Sequence, residues 1–171
     1  MSRRGVVSVI GAAEASAAQI AAAEALGEGL IDLGWRLCTG GRGGVMAAAQ
    51  RGAGRSPRRR EGDTLALLPG ADPSAAAPGA DVVIATGLGD ARNALVVAAA
   101  DVVVLIGGAW GSLSELGLAR KLGRPVIVVE GTGGLADGLP ALAVDDTGVV
   151  RVPDVAAALR ALGGAPRGAP A

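Results

Sequence analysis

Short runs of apolar, β-branched residues alternate along the chain with longer Ala- and Leu-rich segments. That alternation predicts strands joined by crossover helices, the pattern of a parallel sheet covered by helices. Seven runs read as strands: Val6–Ile10, Arg36–Cys38, Thr64–Leu68, Val82–Ala85, Val102–Ile106, Val126–Val129 and Val149–Val152. Most are apolar without interruption, so both faces of these strands are expected to be covered. The segment Glu14–Leu33 has helical periodicity. At about 100° per residue, Ile20, Ala23, Leu26, Gly27, Leu30 and Ile31 share one face, and Glu14, Glu28 and Asp32 lie opposite. Further helices are predicted at Val45–Arg51, Ala91–Ala99, Leu113–Leu122 and Val155–Leu162. The class is α/β, with three layers: a mostly parallel sheet flanked by helices. One domain is expected over residues 1–162, followed at 163–171 by a Gly/Pro/Ala tail that has nothing to bury.

Composition narrows the chemistry. The 171 residues include 16 Lys+Arg and 16 Asp+Glu, so net charge is zero and neither nucleic acid nor a membrane surface is favoured as a partner. His, Tyr and Phe are absent, which removes imidazole acid–base catalysis, Ser-His-Asp triads and His-ligated zinc. No metal site is expected. Cys38 is the only cysteine, so an internal disulfide is excluded and a reducing cytoplasm fits. Arg3-Arg4, the apolar run after them and Ala15-Ser16-Ala17 imitate a secretory signal, but the same residues read better as a strand entering a helix. The most apolar stretch, Ala94–Gly111, is broken by Asp101 and is no membrane span. Arg55 and Arg58 to Arg60 read as a solvated loop with no assigned role.

Chemistry is left to arginine, carboxylates, hydroxyls and backbone amides, and three loops at strand-to-helix junctions concentrate them. The first holds Gly40, Gly41, Arg42, Gly43 and Gly44, where glycines would let amides approach an anion and Arg42 would add a planar fork. A plain tight turn is the alternative. The second is Gly107-Gly108-Ala109-Trp110-Gly111-Ser112-Leu113-Ser114-Glu115; here Ser112 and Glu115 also have the spacing of a capping box. Trp110 in that loop would stack on a base or sugar, or pack on a second subunit. The third, Thr86 to Asn93, offers Asp90 as a helix cap. It sets Arg92 in the first helical turn, where it would hold an anion or pair with a carboxylate such as Asp101. Gly-Lys-Ser/Thr and G-x-G-x-x-G are both missing, which sets aside ATP hydrolysis and dinucleotide oxidoreduction.

Taken in order, Gly40-Gly41-Arg42-Gly43-Gly44-Val45-Met46, Thr86-Gly87-Leu88-Gly89-Asp90-Ala91-Arg92-Asn93 and Gly107 through Glu115 resemble the LOG (LONELY GUY) superfamily. Within it they are most similar to the small Rossmann-like bacterial branch related to the molybdenum-cofactor carrier protein. The resemblance implies a Rossmann-like fold, a cytoplasmic homodimer and a small phosphorylated, nucleotide-like ligand. It implies catalytic roles for Arg92 and Glu115 in hydrolysing the N-glycosidic bond of nucleoside 5′-monophosphates. Gly40, Gly41, Arg42, Gly43, Gly44, Asn93, Gly107, Gly108, Trp110, Gly111 and Ser112 would bind the ligand. The alternative is a carrier that holds a phosphorylated pterin, such as the molybdenum cofactor, without turnover. No cofactor is required on either reading beyond a bound nucleoside monophosphate, phosphate or molybdenum cofactor. Ser112 stands where Thr is usual, and Arg92-Asn93 departs from the Arg-Lys of cytokinin-activating members. Lys121, the only lysine, stands among helix residues with no pyridoxal site in view, against a lysine-decarboxylase reading.

Overall fold

A computed structural model describes residues 3–142 and 147–165. Seven strands form one sheet: β1 Val6–Gly11, β2 Arg36–Thr39, β3 Thr64–Leu68, β4 Val82–Ala85, β5 Val102–Ile106, β6 Val126–Val129 and β7 Val149–Val152. Their spatial order is β4-β3-β2-β1-β5-β6-β7, and every pairing is parallel. Five α-helices lie between strands, α1 Ala17–Asp32, α2 Gly44–Arg55, α3 Asn93–Ala98, α4 Trp110–Lys121 and α5 Gly134–Gly138, and α6 Val155–Gly163 follows β7. Apolar residues of α1, α2 and α6 pack on one face of the sheet, against Val7, Val9, Leu37 and Val104. Those of α3, α4 and α5 pack on the other, against Ile10, Cys38, Val103 and Leu105. Alternate residues of β1 thus enter opposite cores, which is why its sequence carries no polar face.

Direction reverses at β1. The chain winds outward from β1 to β4, then returns to lay β5 on the far side of β1. Loops leaving the carboxyl ends of β1 and β5 therefore diverge and open a crevice, the usual ligand position in such sheets. α2 is brought to that crevice by close helix packing. A Cβ on Gly27 of α1 would overlap the Ala49 carbonyl of α2, and one on Gly52 of α2 would overlap the Glu24 carbonyl of α1.

Several boundaries differ from those expected. α2 extends to Arg55 although Gly52 and Gly54 weaken helical propensity, because its contact with α1 outweighs that preference. The expected Ala91–Ala99 helix splits into a 3-10 turn over Gly89–Arg92 and the short α3. α5 was not foreseen; five residues that include two glycines carry no helical periodicity. Gly163, expected to open the tail, ends α6, and Ala165 packs on the core; residues 166–171 lie outside the described region. β4 is apolar yet half-uncovered, with Val82 40% and Ile84 46% exposed, because it is an edge strand.

Candidate functional site

A cavity of about 200 Å³ opens at the crevice, lined by Gly11, Ala12, Ala13, Arg42, Met46, Asp90, Arg92, Asn93, Ala109, Gly111, Ser112 and Glu115. The three loops singled out in the sequence converge here, joined by the loop after β1. That fourth contribution was missed because Gly11-Ala12-Ala13 has neither charge nor hydroxyl; only its place at the chain reversal marks it.

Two helix N-termini face this region without side-chain caps. The cap position of α2 is Gly43 and that of α4 is Ala109, and neither offers a side-chain acceptor. Elsewhere the long helices are capped: Ser16 and Gln19 form a capping box on α1, and Asp154 caps α6. Apart from the Val45 amide, which donates to the Ala12 carbonyl, the first-turn amides of α2 and α4 have no side-chain acceptor, and the positive ends of both dipoles meet at one place, a natural seat for an anion.

The capping box that the spacing of Ser112 and Glu115 offered as an alternative does not form. Ala109 takes an extended conformation, and Leu113 N–H donates to its carbonyl at 2.9 Å, so α4 begins at Trp110, three residues earlier than expected. Ser112 moves into the first turn, where it is 4% exposed and its hydroxyl makes no hydrogen bond among the described residues. Glu115 is left to face Arg92 instead.

Arg92 is 5% exposed. Its Nη1 donates to Asn93 Oδ1 and reaches Glu115 Oε1 at 3.5 Å, and its Nη2 donates to the Gly40 carbonyl at 3.2 Å. Nε is buried without a partner. Asp101, the partner weighed for Arg92, is taken by Arg3 and by the Val6 amide. Asn93 Nδ2 donates to Ser114 Oγ, which donates to the Gly111 carbonyl, so α3 and α4 are tied together beside the cavity.

Burial controls the proton affinities. Desolvation pushes the Glu115 carboxyl up to about 7, against the opposing pull of Arg92. The same loss of water lowers Arg92, partly offset by the Glu115 charge. A carboxyl poised near neutrality beside a guanidinium can exchange a proton with a bound group. Cys38 beneath them is no nucleophile, because burial pushes its thiol up to about 11.

The glycines of the three loops divide. Gly111 lines the cavity; Gly40, Gly41, Gly43, Gly44, Gly107 and Gly108 do not. They act by close approach. A side chain at Gly40 would strike the Arg92 guanidinium, and one at Gly44, whose φ is +59°, would strike the Ala12 carbonyl. The Gly107 amide donates to Thr132 Oγ1, and the carbonyls of Gly107 and Gly108 accept from Ala136 and Leu135 of α5, so this loop braces α5. Trp110, 84% exposed, does not line the cavity, although its neighbours Ala109 and Gly111 do.

The basic run lies elsewhere. Arg58 donates to the Asp32 carbonyl that ends α1, Arg59 pairs with Asp81, and Arg55 pairs with Glu24. Arg4 bonds the carbonyls of Gly34 and Trp35 as well as Asp63. Arg58 and Arg4 close the carboxyl end of α1, beyond the amino ends of the strands and away from the cavity. Among the described residues no group of three or more Cys, Asp or Glu is placed to hold a metal ion, and no helix is long and apolar enough to cross a membrane.

Residues 4–158 match the model of the SLOG cluster4 family. The chain belongs to the SLOG cluster4 family. An uncharacterized protein from Archaeoglobus fulgidus is 35% identical over 131 residues, 73% of this chain and 83% of that protein. Among solved structures, this SLOG protein is similar to the molybdenum cofactor binding protein of Rippkaea orientalis. The TM-score there is 0.82 at 31% identity, covering 94% of this chain and 96% of that one. The molybdenum cofactor carrier protein of Chlamydomonas reinhardtii gives a TM-score of 0.79 at 31% identity, covering 93% and 96%. DNA processing protein A of Helicobacter pylori, 22% identical with a TM-score of 0.69, covers 92% of this chain and 79% of that one, and shares the fold.

Proposed function

We propose that this SLOG protein carries a phosphorylated pterin of the molybdenum-cofactor type, bound and released unchanged. The observation that carries the reading is the meeting of two uncapped helix N-termini with a buried arginine at one cavity. Similarity over more than nine-tenths of the chain to proteins that bind this cofactor supports the choice of ligand. In this reading the phosphate sits before the amides of α2 and α4, Ser112 donates its free hydroxyl, and Arg92 and Arg42 balance the charge. The Arg92–Asn93–Ser114 links hold the guanidinium in place before the ligand arrives, so little ordering is left for binding to perform. Co-expression with a pterin-cofactor pathway, anaerobic purification and native mass spectrometry test this. The expected result is a mass increment of one pterin per chain that Arg92→Ala abolishes; no increment in the parent protein overturns the reading.

A second reading is hydrolysis of nucleoside 5′-monophosphates. The raised proton affinity of Glu115, 3.5 Å from Arg92, favours it, since the carboxyl could pass a proton to a departing base or, once ionised, stabilise a cationic ribose, while Arg92 balances charge on the phosphate. Release of free base from AMP, lost in Glu115→Gln, would replace the carrier reading with this one.

We also propose a homodimer. Val82, Ile84, Leu88 and Leu95, each at least 40% exposed, lie along β4, the turn after it and α3, and a second copy about a twofold axis would cover them. Zero net charge argues against nucleic acid as a partner, and the lone buried Cys38 suits the cytoplasm.

A further inference from the structure

We infer that Trp110 is the stacking surface for the planar heterocycle of the ligand, so that the site selects flat ring-bearing phosphates over plain sugar phosphates. This rests on the reading of the cavity as a phosphate seat. Space is the first argument. About 200 Å³ is less than the roughly 300–1,000 Å³ that encloses a drug-sized ligand, so a heterocyclic phosphate cannot be swallowed whole. Its anionic end fits; the ring must lie on the rim.

Position is the second. Trp110 is the first residue of α4, between Ala109 and Gly111, both of which line the cavity. Helical side chains tilt toward the N-terminus of their helix, a direction that would set the indole beside the end where the free amides are. A Cβ on the neighbouring Gly111, which lines the cavity, would meet nothing within 4 Å, so the cavity mouth is open at that position.

Composition is the third. The chain has no Phe, Tyr or His, and Trp35 is 0% exposed in the core, so Trp110 is the one aromatic face a ligand can reach. Tryptophan is on average strongly buried, and 84% exposure of such a large apolar ring calls for a partner. A ring stacked there gains affinity without reading hydrogen bonds, which suits a carrier that must later release its load.

Calorimetric titration of the full chain with ribose 5-phosphate, AMP and a pterin monophosphate tests this on the parent protein, Trp110→Phe and Trp110→Ala. The parent is expected to bind at least one ring-bearing phosphate roughly tenfold or more tightly than ribose 5-phosphate. Trp110→Ala should erase that advantage while leaving ribose 5-phosphate affinity within about twofold, and Trp110→Phe should retain most of it. If ribose 5-phosphate binds and the ring advantage is missing, or survives in Trp110→Ala, the stacking role is overturned and the phosphate seat stands. If none of the three binds the parent, the phosphate seat falls and the stacking role with it. Light scattering on Trp110→Ala covers the rival occupant: loss of a dimer with ring discrimination intact assigns the indole to a subunit contact and also overturns the proposal.

Discussion

Glu115 and Arg92 show what burial does to a pair of ordinary residues. Each loses water, the charge of each is met only by the other at 3.5 Å, and the carboxyl rises to about 7. The folded state therefore holds the Glu115 proton more tightly than the unfolded chain, whose carboxyl releases it near 4.5. Between those values the folded form binds more protons, so this residue's contribution to stability falls as pH rises from about 4.5 to about 7 and is flat above. Glu115→Gln removes that dependence. Its melting temperature should exceed that of the parent by more at pH 8 than at pH 5, measured by calorimetry at both. An equal difference at the two pH values would mean that Glu115 is already ionised at pH 5. Ligand binding carries the same signature: below pH 7 a neutral Glu115 leaves Arg92 free to meet an anion. Affinity for ribose 5-phosphate should therefore gain more on acidification in the parent than in Glu115→Gln, a comparison that cancels the titration of the phosphate itself. At this scale the sequence brought forward residues that the fold gathers at one cavity, but not their geometry. Arg92 stands out by its place in the first helical turn, and Asn93, Ser112 and Glu115 enter through the resemblance to the LOG superfamily, while the spacing of Ser112 and Glu115 reads at least as well as a capping box. Only the extended backbone at Ala109, which starts α4 early, separates them.

Elements are placed by glycines that no periodicity argument values. Gly52 sits where α1 and α2 touch backbone to backbone, so a methyl there must push the helices apart. Gly52→Ala is expected to cost ~1–3 kcal/mol, read as a lower urea midpoint with unchanged slope, although alanine is the better helix former. A neutral or stabilising result would show that the helices separate easily. Gly44 serves the site more directly. Its positive φ and its approach to Ala12 set the N-terminus of α2 against the loop after β1, and the Val45 amide donates to the Ala12 carbonyl at 3.0 Å. Gly44→Ala should weaken phosphate binding together with stability, whereas Gly52→Ala should affect stability more than binding. The strands were legible because their apolar runs are long and unbroken. The turn and short helix around Arg92, and α5, were not, because a handful of residues held by neighbours carries no repeat of its own.

For the whole molecule, the parallel sheet and its reversal at β1 follow from alternating strands and helices, and they bring distant loops to one crevice. Which strands flank the reversal is a tertiary outcome, and with it the contribution of Gly11 to Ala13. The same holds for the uncovered side of β4, where an apolar run foretold burial that this chain alone does not provide. Light scattering should give twice the 16.5 kDa chain mass, and Ile84→Glu should return it to one. A monomeric parent protein would leave that face for something else.

The central claim, an anion held before α2 and α4 by Arg92, is tested most directly by the phosphorus-31 resonance of ribose 5-phosphate titrated with protein. A shift or broadening that saturates with the parent and vanishes with Arg92→Ala is the predicted result. The same shift in both proteins, or none in either, would contradict it.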